Sequence, residues 1–339
     1  MGLLRFVLRR LGLAVFVLLG VTVITFVLSR SISSNPLVAW LGRAASMYPE
    51  LAAEYAKKYH LNEPLHVQFY YYIVGLLQGD LGYSVYKGKP VAEAIGETLP
   101  FTLQIAFFAI IFTLIIGIPL GVLAGKYHRR ATDYGIRAFY LAGVSSPAFL
   151  LALFLLIILT YTFRLLPSGG ALSPGVPTPS RVTGFIIIDS LLERNFGTFV
   201  DALAHIVMPS LALALGVFGY VTRVLRASIL EVMRTNYIRA ARAKGLDENT
   251  IFFKHALRNA MISVVTLASL LTTWLVTGTL FAETIFTYPG AGQYLVQALS
   301  SLDYPSILAI TLVFAAVIVA SNLAADILYA VVDPEIRLQ

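Results

Sequence analysis

The sequence predicts an all-α, polytopic membrane protein with six transmembrane helices. Of the 339 residues, 58% are hydrophobic and 13% are charged, whereas soluble domains have about 45–50% apolar and about 25% charged residues. A bilayer core about 30 Å thick needs about 20 helical residues, because no water is present there to satisfy an exposed backbone. Six stretches without Asp, Glu, Lys or Arg are long enough: 11–29, 98–125, 138–163, 202–222, 259–282 and 304–325.

The first stretch is interpreted as a retained transmembrane helix. Arg5, Arg9 and Arg10 precede its apolar core as they would in a signal peptide. The core, 11–28, nevertheless exceeds the typical 7–15 residues, and no A-x-A-like site follows it directly. The next segment, 31–97, is too long for a simple loop. Its three consecutive tyrosines, 70–72, suit the headgroup level, and we interpret them as interfacial packing, with direct substrate contact as the alternative.

The second stretch contains Gly117, Gly121 and Gly125 in a double GxxxG register. Small residues at this spacing let helix backbones approach closely in lipid. The three glycines are therefore predicted to be helix-packing residues. The spacing leaves open whether the neighbouring helix belongs to this chain or to another subunit.

The distribution of charge predicts the orientation of the spans. The net charge is +7. If the N-terminus is cytoplasmic, the segments on that side (1–10, 126–137, 223–258 and the C-terminal tail) hold 16 of the 25 basic and 7 of the 18 acidic residues. Lys and Arg accumulate on the cytoplasmic side of membrane proteins, so both termini are predicted to be cytoplasmic. The basic residues then face anionic lipid and partner proteins, and nucleic acid is not an expected partner.

The residue patterns of an enzyme are missing from the sequence. There is no Cys, and no HExxH, GxSxG or GxxxxGK[ST] motif. The five histidines are predicted to lie on both faces of the membrane, so they do not converge on one metal. His205 and Asp326 are the ionisable residues within the spans; we interpret both as structural, with a functional role as the alternative. We expect no catalytic residue, no metal and no cofactor.

The loop 223–258 is the most informative part of the chain. Its first helix is predicted to run to about Lys244, with Gly245 in the left-handed position that ends it and Asp247 capping the next helix. Residues at i+4 spacing are expected to form one apolar face of that first helix; they are Ile229, Met233, Tyr237 and Ala241. This face predicts either an amphipathic helix on the bilayer or a helix that docks into a groove of a soluble partner.

The string YIRAARAKGLDENTIFFKHALRNA in this loop resembles the EAA loop of binding-protein-dependent ABC importers, in the form typical of dipeptide and oligopeptide permeases. Strings from end to end of the chain resemble the same family in the same order. They are LLRFVLRRLG, GDLGYS (79–84), ETLPFTLQIA (97–106), GIPLGVLAG (117–125), YPGAG (288–292), LDYP (302–305) and NLAADILYAVVDPEIRL (322–338). The joint order of these strings makes the resemblance specific.

This resemblance implies a type I ABC importer permease fold and a role as a transport subunit that is not itself an enzyme. It implies five partners: a second homologous permease, two ABC ATPases that bind ATP and Mg, an extracytoplasmic binding protein and the lipid bilayer. It also implies that one stretch of the loop couples to the ATPases. By matching position, those residues are Tyr237, Arg239, Ala240, Ala241, Ala243, Lys244, Gly245, Leu246, His255, Leu257 and Asn259.

The chain departs from the family pattern in its outer segments. The family's Pro-Gly-Asp-Pro corresponds to SSNPL at 33–37, and the stretch 165–200 is long and rich in proline. The expected substrate is a dipeptide or oligopeptide, with an oligosaccharide as the alternative and an ion-coupled secondary carrier or an intramembrane enzyme as rival classes. The expected organisation is a first helix within 1–30, an extracytoplasmic segment 31–97, and a five-helix core 98–339 with a cytoplasmic loop 223–258 and an extracytoplasmic loop 164–201.

Overall fold

The computed structural model describes residues 3–31 and 49–332 and is almost entirely helical in these ranges. The α-helices are α1 Leu3–Ser31, α2 Pro49–Lys58, α3 Leu65–Leu77, α4 Val91–Lys126, α5 Ala131–Ser145, α6 Ala148–Leu155, α7 Ile186–Leu192, α8 Phe196–Val232, α9 Asn236–Ala243, α10 Glu248–Thr250, α11 Arg258–Ile285, α12 Ala291–Ser301 and α13 Tyr304–Val332. Two π-helical segments, Leu156–Thr162 and Ile251–Leu257, follow α6 and α10.

Four of the described helices are long and apolar enough to cross a membrane, and the number is six if each of two bent pairs counts as one span. The four are α1, α4, α8 and α13. The first bent pair is α5 with the helix Ala148–Thr162, and the second extends from Glu248 to Ile285 with a 41° bend. The six predicted stretches correspond to these four helices and two pairs.

The third predicted stretch is not one straight helix, because it bends by 107° between Ser145 and Ala148. Ser146 has an extended backbone (φ −85°, ψ 134°) and Pro147 follows it. Proline disfavours the helical conformation in the residue before it and lacks the N–H that would continue the helix. The predicted span 138–163 is therefore corrected to two helices that meet at the Ser146–Pro147 break.

The chain divides into two compact units. One, the core unit, is built mainly from Leu103–Tyr288 and also contains residues from Ser321 onward. The other, the flank unit, contains Leu8–Thr102 and Pro289–Ala320.

In the core unit, glycines bring α4 close to α8. A Cβ atom added to Gly117 would lie 2.8 Å from the Cβ of Val221 and 3.0 Å from the carbonyl oxygen of Phe218. The next two glycines of the series face the next turns of α8 in the same way, at 3.0 Å each. The facing pairs are Gly117 with Val221, Gly121 with Leu225, and Gly125 with Ile229.

A second pair of glycines joins α5 to α8. A Cβ at Gly143 would lie 2.7 Å from the carbonyl oxygen of Leu215, and one at Gly219 would lie 2.6 Å from Val144. Together with the α4 contacts, they place α8 at backbone distance from two neighbours. These two glycines lie on different helices and form no spacing pattern, so the sequence alone does not indicate their contact.

In the flank unit, four strings that carry the family resemblance come together. Ser84 of GDLGYS donates to the buried carboxylate of Asp303 in LDYP, and Ser306 donates to the same oxygen at 2.8 Å. The backbone N–H of Ala291, in YPGAG, donates to the Thr102 hydroxyl of ETLPFTLQIA at 2.8 Å. Burial raises the pKa of Asp303.

The same unit contains the β structure of the described residues. Tyr83–Ser84 and Lys89–Pro90 form a two-stranded antiparallel hairpin, with Gly88 at φ +66° in its turn. The hairpin leads directly into α4, whose first turns pack on α12 and α13. The buried residues of that contact are Val91, Ala94, Ile95, Tyr294, Ala298, Ala309 and Ile310.

Candidate docking surface

The loop 223–258 has one more break than predicted. Helix α8 ends at Val232, and the short helix α9 begins only at Asn236. Thr235 precedes α9 with an extended backbone, and its hydroxyl donates to the Val232 carbonyl at 2.6 Å. The predicted continuous helix to Lys244 is therefore corrected to two helices joined by a three-residue turn.

The end of α9 agrees with the prediction. Gly245 has φ +80°, and its N–H donates to the Arg242 carbonyl at 2.9 Å. Asp247 caps α10 by accepting from the Thr250 N–H at 3.0 Å. Hydrogen bonds from the side chain and then the backbone of Thr250 lower the pKa of Asp247. The guanidinium of Arg242 reaches across the turn to Glu248 with contacts of 2.7 and 3.2 Å. These bonds fix the angle between α9 and α10.

The break at 233–235 also changes which face of α9 is buried. Ile238 and Ala241 are buried with Ile251 and Ala256, and Val232 and Met233 pack against this cluster. Tyr237 is 41% exposed. The predicted apolar stripe is therefore wrong at Tyr237, because the turn rotates α9 relative to α8.

The residues that match the family loop now divide by exposure. Ala241 is buried, and His255 and Leu257 are half-buried, so these three residues lie beneath the exposed surface. The other eight are exposed; they are Tyr237, Arg239, Ala240, Ala243, Lys244, Gly245, Leu246 and Asn259. Small side chains alternate with cations along α9, so the exposed side of this helix is narrow and positively charged.

Three contacts attach this surface to the helices that precede and follow it. The Asn259 amide donates to the Tyr237 hydroxyl at 2.9 Å. Lys126, the last residue of α4, donates to Asn249 at 3.1 Å and lies 4.9 Å from the ring centroid of Phe253. The surface is thus held between the ends of α4 and α8 and the start of α11.

An ion pair at the same end of the core unit was not singled out by sequence reasoning. The guanidinium of Arg226 in α8 contacts both carboxylate oxygens of Asp133 in α5, at 2.7 and 2.8 Å. Asp133 is 1% exposed, and it also accepts from the Arg129 N–H at 3.0 Å. The two residues are 93 positions apart, so no local pattern could have indicated the pair.

Two cavities lie in the membrane-spanning part of the core unit. One, of about 440 Å³, is almost wholly apolar and is lined by α4, α11 and α13. The other, of about 490 Å³, lies beside the Ser146–Pro147 break. It combines aromatic with hydroxyl side chains, among them Ser146, Tyr220, Trp274 and Thr277.

His205, an ionisable residue of the fourth predicted span, is hydrogen-bonded within the core unit. The ring Nδ1 of His205 lies 2.8 Å from the carbonyl oxygen of Asp201, and the Asp201 carboxylate accepts from the N–H and hydroxyl of Ser173. Both groups therefore have hydrogen-bond partners within the fold. The side chain of Asp326 and the string at 33–37 lie outside the described residues. Within the described ranges, no group of three or more His, Asp or Glu residues could hold a metal ion.

Comparisons with known proteins identify the family. Residues 117–338 match the model for the binding-protein-dependent transport system inner membrane component, and residues 3–106 match the model for the N-terminal part of such membrane components. The chain belongs to this family. It is therefore a multi-pass membrane permease, and the predicted family is confirmed.

Several relatives of this permease are named as permeases of peptide transport systems. The chain is 38% identical to the probable D,D-dipeptide transport system permease protein DdpB of Escherichia coli K12, over 95% of this chain and 94% of that one. It is 36% identical to the dipeptide permease DppB of the same strain, over 99% of both chains. It is 35% identical to the oligopeptide permease AppB of Bacillus subtilis 168, over 98% and 99%.

The fold of this permease has also been seen in a solved structure. The MetNI methionine ABC transporter, in an inward-facing form, matches with a TM-score of 0.50 at 18% identity, over 69% of this chain and 93% of that one. The predicted type I ABC importer permease fold is confirmed by this match together with the family models.

Proposed function

We propose that this permease forms half of the pathway by which an ABC importer takes up dipeptides or oligopeptides. The support is the identity of 35–38% over nearly the whole chain to permeases named for peptides. The oligosaccharide alternative gains no support from these relatives. ATP hydrolysis belongs, in this proposal, to separate ATPase subunits.

The surface around α9 is proposed to be the ATPase-docking site. Its eight exposed residues follow the family loop, and its buried side chains form a small core that holds α9 in place. An exposed helix with small side chains fits a cleft, because a partner can approach its backbone closely. Movement of the ATPases would then pass through Lys126 and Arg226 to α4, α5 and α8.

The proposed orientation puts this surface in the cytoplasm. Both termini then also face the cytoplasm, while 31–97 and 164–201 lie outside and meet the binding protein. The charge balance supports this, since 16 of the 25 basic residues lie on the inner side. A second homologous permease would supply the other half of the pathway, and two ATPases would complete the importer.

The cavity at the Ser146–Pro147 break is the proposed part of the pathway that meets the substrate. Broken helices line the binding sites of transporters because the interrupted backbone offers free polar groups. Here the break lies beside Tyr220, Trp274 and Thr277. Aromatic faces with a few hydroxyl groups suit peptides of varied side chains.

The experiment is receptor-stimulated ATP hydrolysis by the assembled importer in proteoliposomes. A mixture of dipeptides and tripeptides and, separately, a mixture of oligosaccharides are added with the binding protein. Stimulation by peptides alone supports the proposal, and stimulation by oligosaccharides alone overturns its substrate. Uptake that persists without ATP but stops with an uncoupler would indicate a secondary carrier instead.

A further inference from the structure

One face of α8 lies between two neighbouring helices, α5 and α11. On one side α5 packs closely, since a Cβ atom at Gly143 would lie 2.7 Å from the carbonyl oxygen of Leu215. On the other side α11 packs, where the Ser228 hydroxyl donates to the Ser263 hydroxyl at 3.0 Å. At about 3.6 residues per turn, four residues of α8 lie on the face between these two contacts. They are Gly216, Tyr220, Arg223 and Ala227.

This face leads from the cavity beside the Ser146–Pro147 break toward the C-terminal end of α8. Gly216 and Tyr220 line that cavity, whose volume is about 490 Å³. Arg223 follows Tyr220 at i+3 and is exposed, and its guanidinium carbon lies 5.7 Å from the centroid of the Tyr220 ring. Side chains of a helix lean toward its N-terminus, which is here the direction of the cavity. The guanidinium of Arg223 is therefore directed toward the mouth of the cavity.

Arg223 forms no ion pair with another residue of the described ranges. Arg226, one turn further along α8, differs in this respect, because it contacts both carboxylate oxygens of the buried Asp133 at 2.7 and 2.8 Å. Among the described residues, the side chains that line the cavity are apolar, aromatic or hydroxyl-bearing, and none is charged. An anion that enters the cavity therefore meets the cation of Arg223 at its mouth.

The C-terminal carboxylate of a peptide suits this position. A guanidinium binds both oxygens of a carboxylate through two parallel hydrogen bonds, which are stronger than hydrogen bonds between neutral groups. The contact with the Tyr220 ring restricts the guanidinium, so less conformational entropy is lost when a carboxylate binds. Aromatic and hydroxyl groups further inside the cavity, among them Trp274 and Thr277, then contact the rest of the peptide. Peptides of any sequence share this carboxylate, so one cation serves them all.

We propose that Arg223 binds the C-terminal carboxylate of peptides in this cavity. The inference rests on the proposed function, because it takes the cavity to be part of the peptide pathway. It makes the free carboxylate the group by which this permease distinguishes a peptide from an uncharged solute of similar size. Tyr220 is then a positioning residue, because it acts on the carboxylate through the guanidinium.

The test is protection of a single cysteine in the assembled importer, without binding protein and without ATP. The chain contains no Cys, so Thr277→Cys places one thiol in the cavity. Its labelling with a fluorescent maleimide is measured on the band of this subunit after electrophoresis. Trialanine and trialanine amide are titrated as protecting ligands. Trialanine is expected to protect at a concentration about tenfold lower than the amide, which is the effect of one charge-assisted pair.

Variants of Arg223 are made in the Thr277→Cys background. Arg223→Gln is expected to raise the half-protecting concentration of trialanine about tenfold and to leave that of the amide no higher. Arg223→Lys should keep part of the preference, because Lys retains the charge but binds a carboxylate as a point charge. Arg234→Gln is the matched control, because Arg234 is exposed in the turn after α8 and does not line the cavity. Ser146→Cys is a second reporter in the same cavity if the Thr277 variant does not assemble.

Three outcomes would overturn the inference. Equal protection by trialanine and its amide in Thr277→Cys alone would show that the carboxylate is not recognised. An equal change for both peptides in Arg223→Gln would give Arg223 a general role, such as contact with a lipid phosphate. Absence of protection by either peptide with both reporters would also remove the cavity from the peptide pathway. Peptide import itself is measured separately by receptor-stimulated ATP hydrolysis, so failure of the two proposals is distinguishable.

Discussion

The contact between Gly117 and α8 predicts a measurable loss of stability on adding one methyl group. In Gly117→Ala the new Cβ would lie 2.8 Å from the Cβ of Val221 and 3.0 Å from the Phe218 carbonyl oxygen. Carbon atoms in contact normally lie about 3.5–4.0 Å apart, so α4 and α8 must separate by roughly 1 Å. Neither neighbouring atom is the end of a flexible side chain, so a rotamer change does not relieve the clash.

The magnitude follows from two opposing terms. Overpacking of a close contact costs about 1–3 kcal/mol, whereas replacing a helical glycine with alanine gains about 0.5–1 kcal/mol from backbone entropy. Gly96→Ala, in the same helix, isolates the second term, because a Cβ there meets no atom within 4 Å. The difference between the two variants is therefore expected to be about 1–3 kcal/mol, with Gly117→Ala the less stable.

The assay is the free energy of unfolding of the purified chain in mixed micelles, from denaturant titration of the wild type and both variants. The Thr222 hydroxyl, which donates to the Gly117 carbonyl at 3.2 Å, would lose this bond as the helices separate. Equal stability of Gly117→Ala and Gly96→Ala would refute the close approach of α4 and α8.

Three further predictions concern other sites. Gly245→Val places a β-branched side chain at φ +80°, so we expect the ATPases no longer to co-purify while the chain still inserts; normal co-purification would contradict the docking role. Arg226→Gln leaves Asp133 buried without its cation, so we expect a loss of about 3–5 kcal/mol that Asp133→Asn largely reverses, as measured by denaturant unfolding. Burial raises the pKa of Asp303, so the neutral carboxyl stabilises the fold at low pH, and this contribution is lost as the pH rises through the raised pKa. Asn does not ionise, so the melting temperature of Asp303→Asn relative to that of the wild type should increase as the pH is raised from 4 to 8. A difference in melting temperature that stays constant over this range would contradict the raised pKa.

Features set by local chemistry were predictable from the sequence. The apolar stretches follow from the thickness of the bilayer, and the left-handed Gly245 and the capping Asp247 follow from the chemistry of helix ends. The break before α9 was missed, although Thr235 is a residue type that favours the start of a helix. The i+4 series of apolar residues continues across 233–237, and this continuity predicted one helix where the structure has two.

Contacts between distant segments were not predictable from one sequence. Ser84 and Asp303 are 219 positions apart, and Arg226 and Asp133 are 93 apart. Nothing in the residues between them indicates which helices pack together. The strings around Ser84 and Asp303 were recognised as typical of the family, but their meeting at one buried hydrogen bond required the fold.

The glycine contacts on both sides of α8 have a mechanical consequence. The helix has 37 residues, which at 1.5 Å per residue makes a rod about 55 Å long. At the glycine contacts few side-chain atoms lie between the helices to absorb a displacement, so α4 and α5 move together with α8 when it tilts. A rotation of about 5° around one end of such a rod moves the opposite end by about 5 Å, which is enough to open or close a passage the width of a peptide backbone.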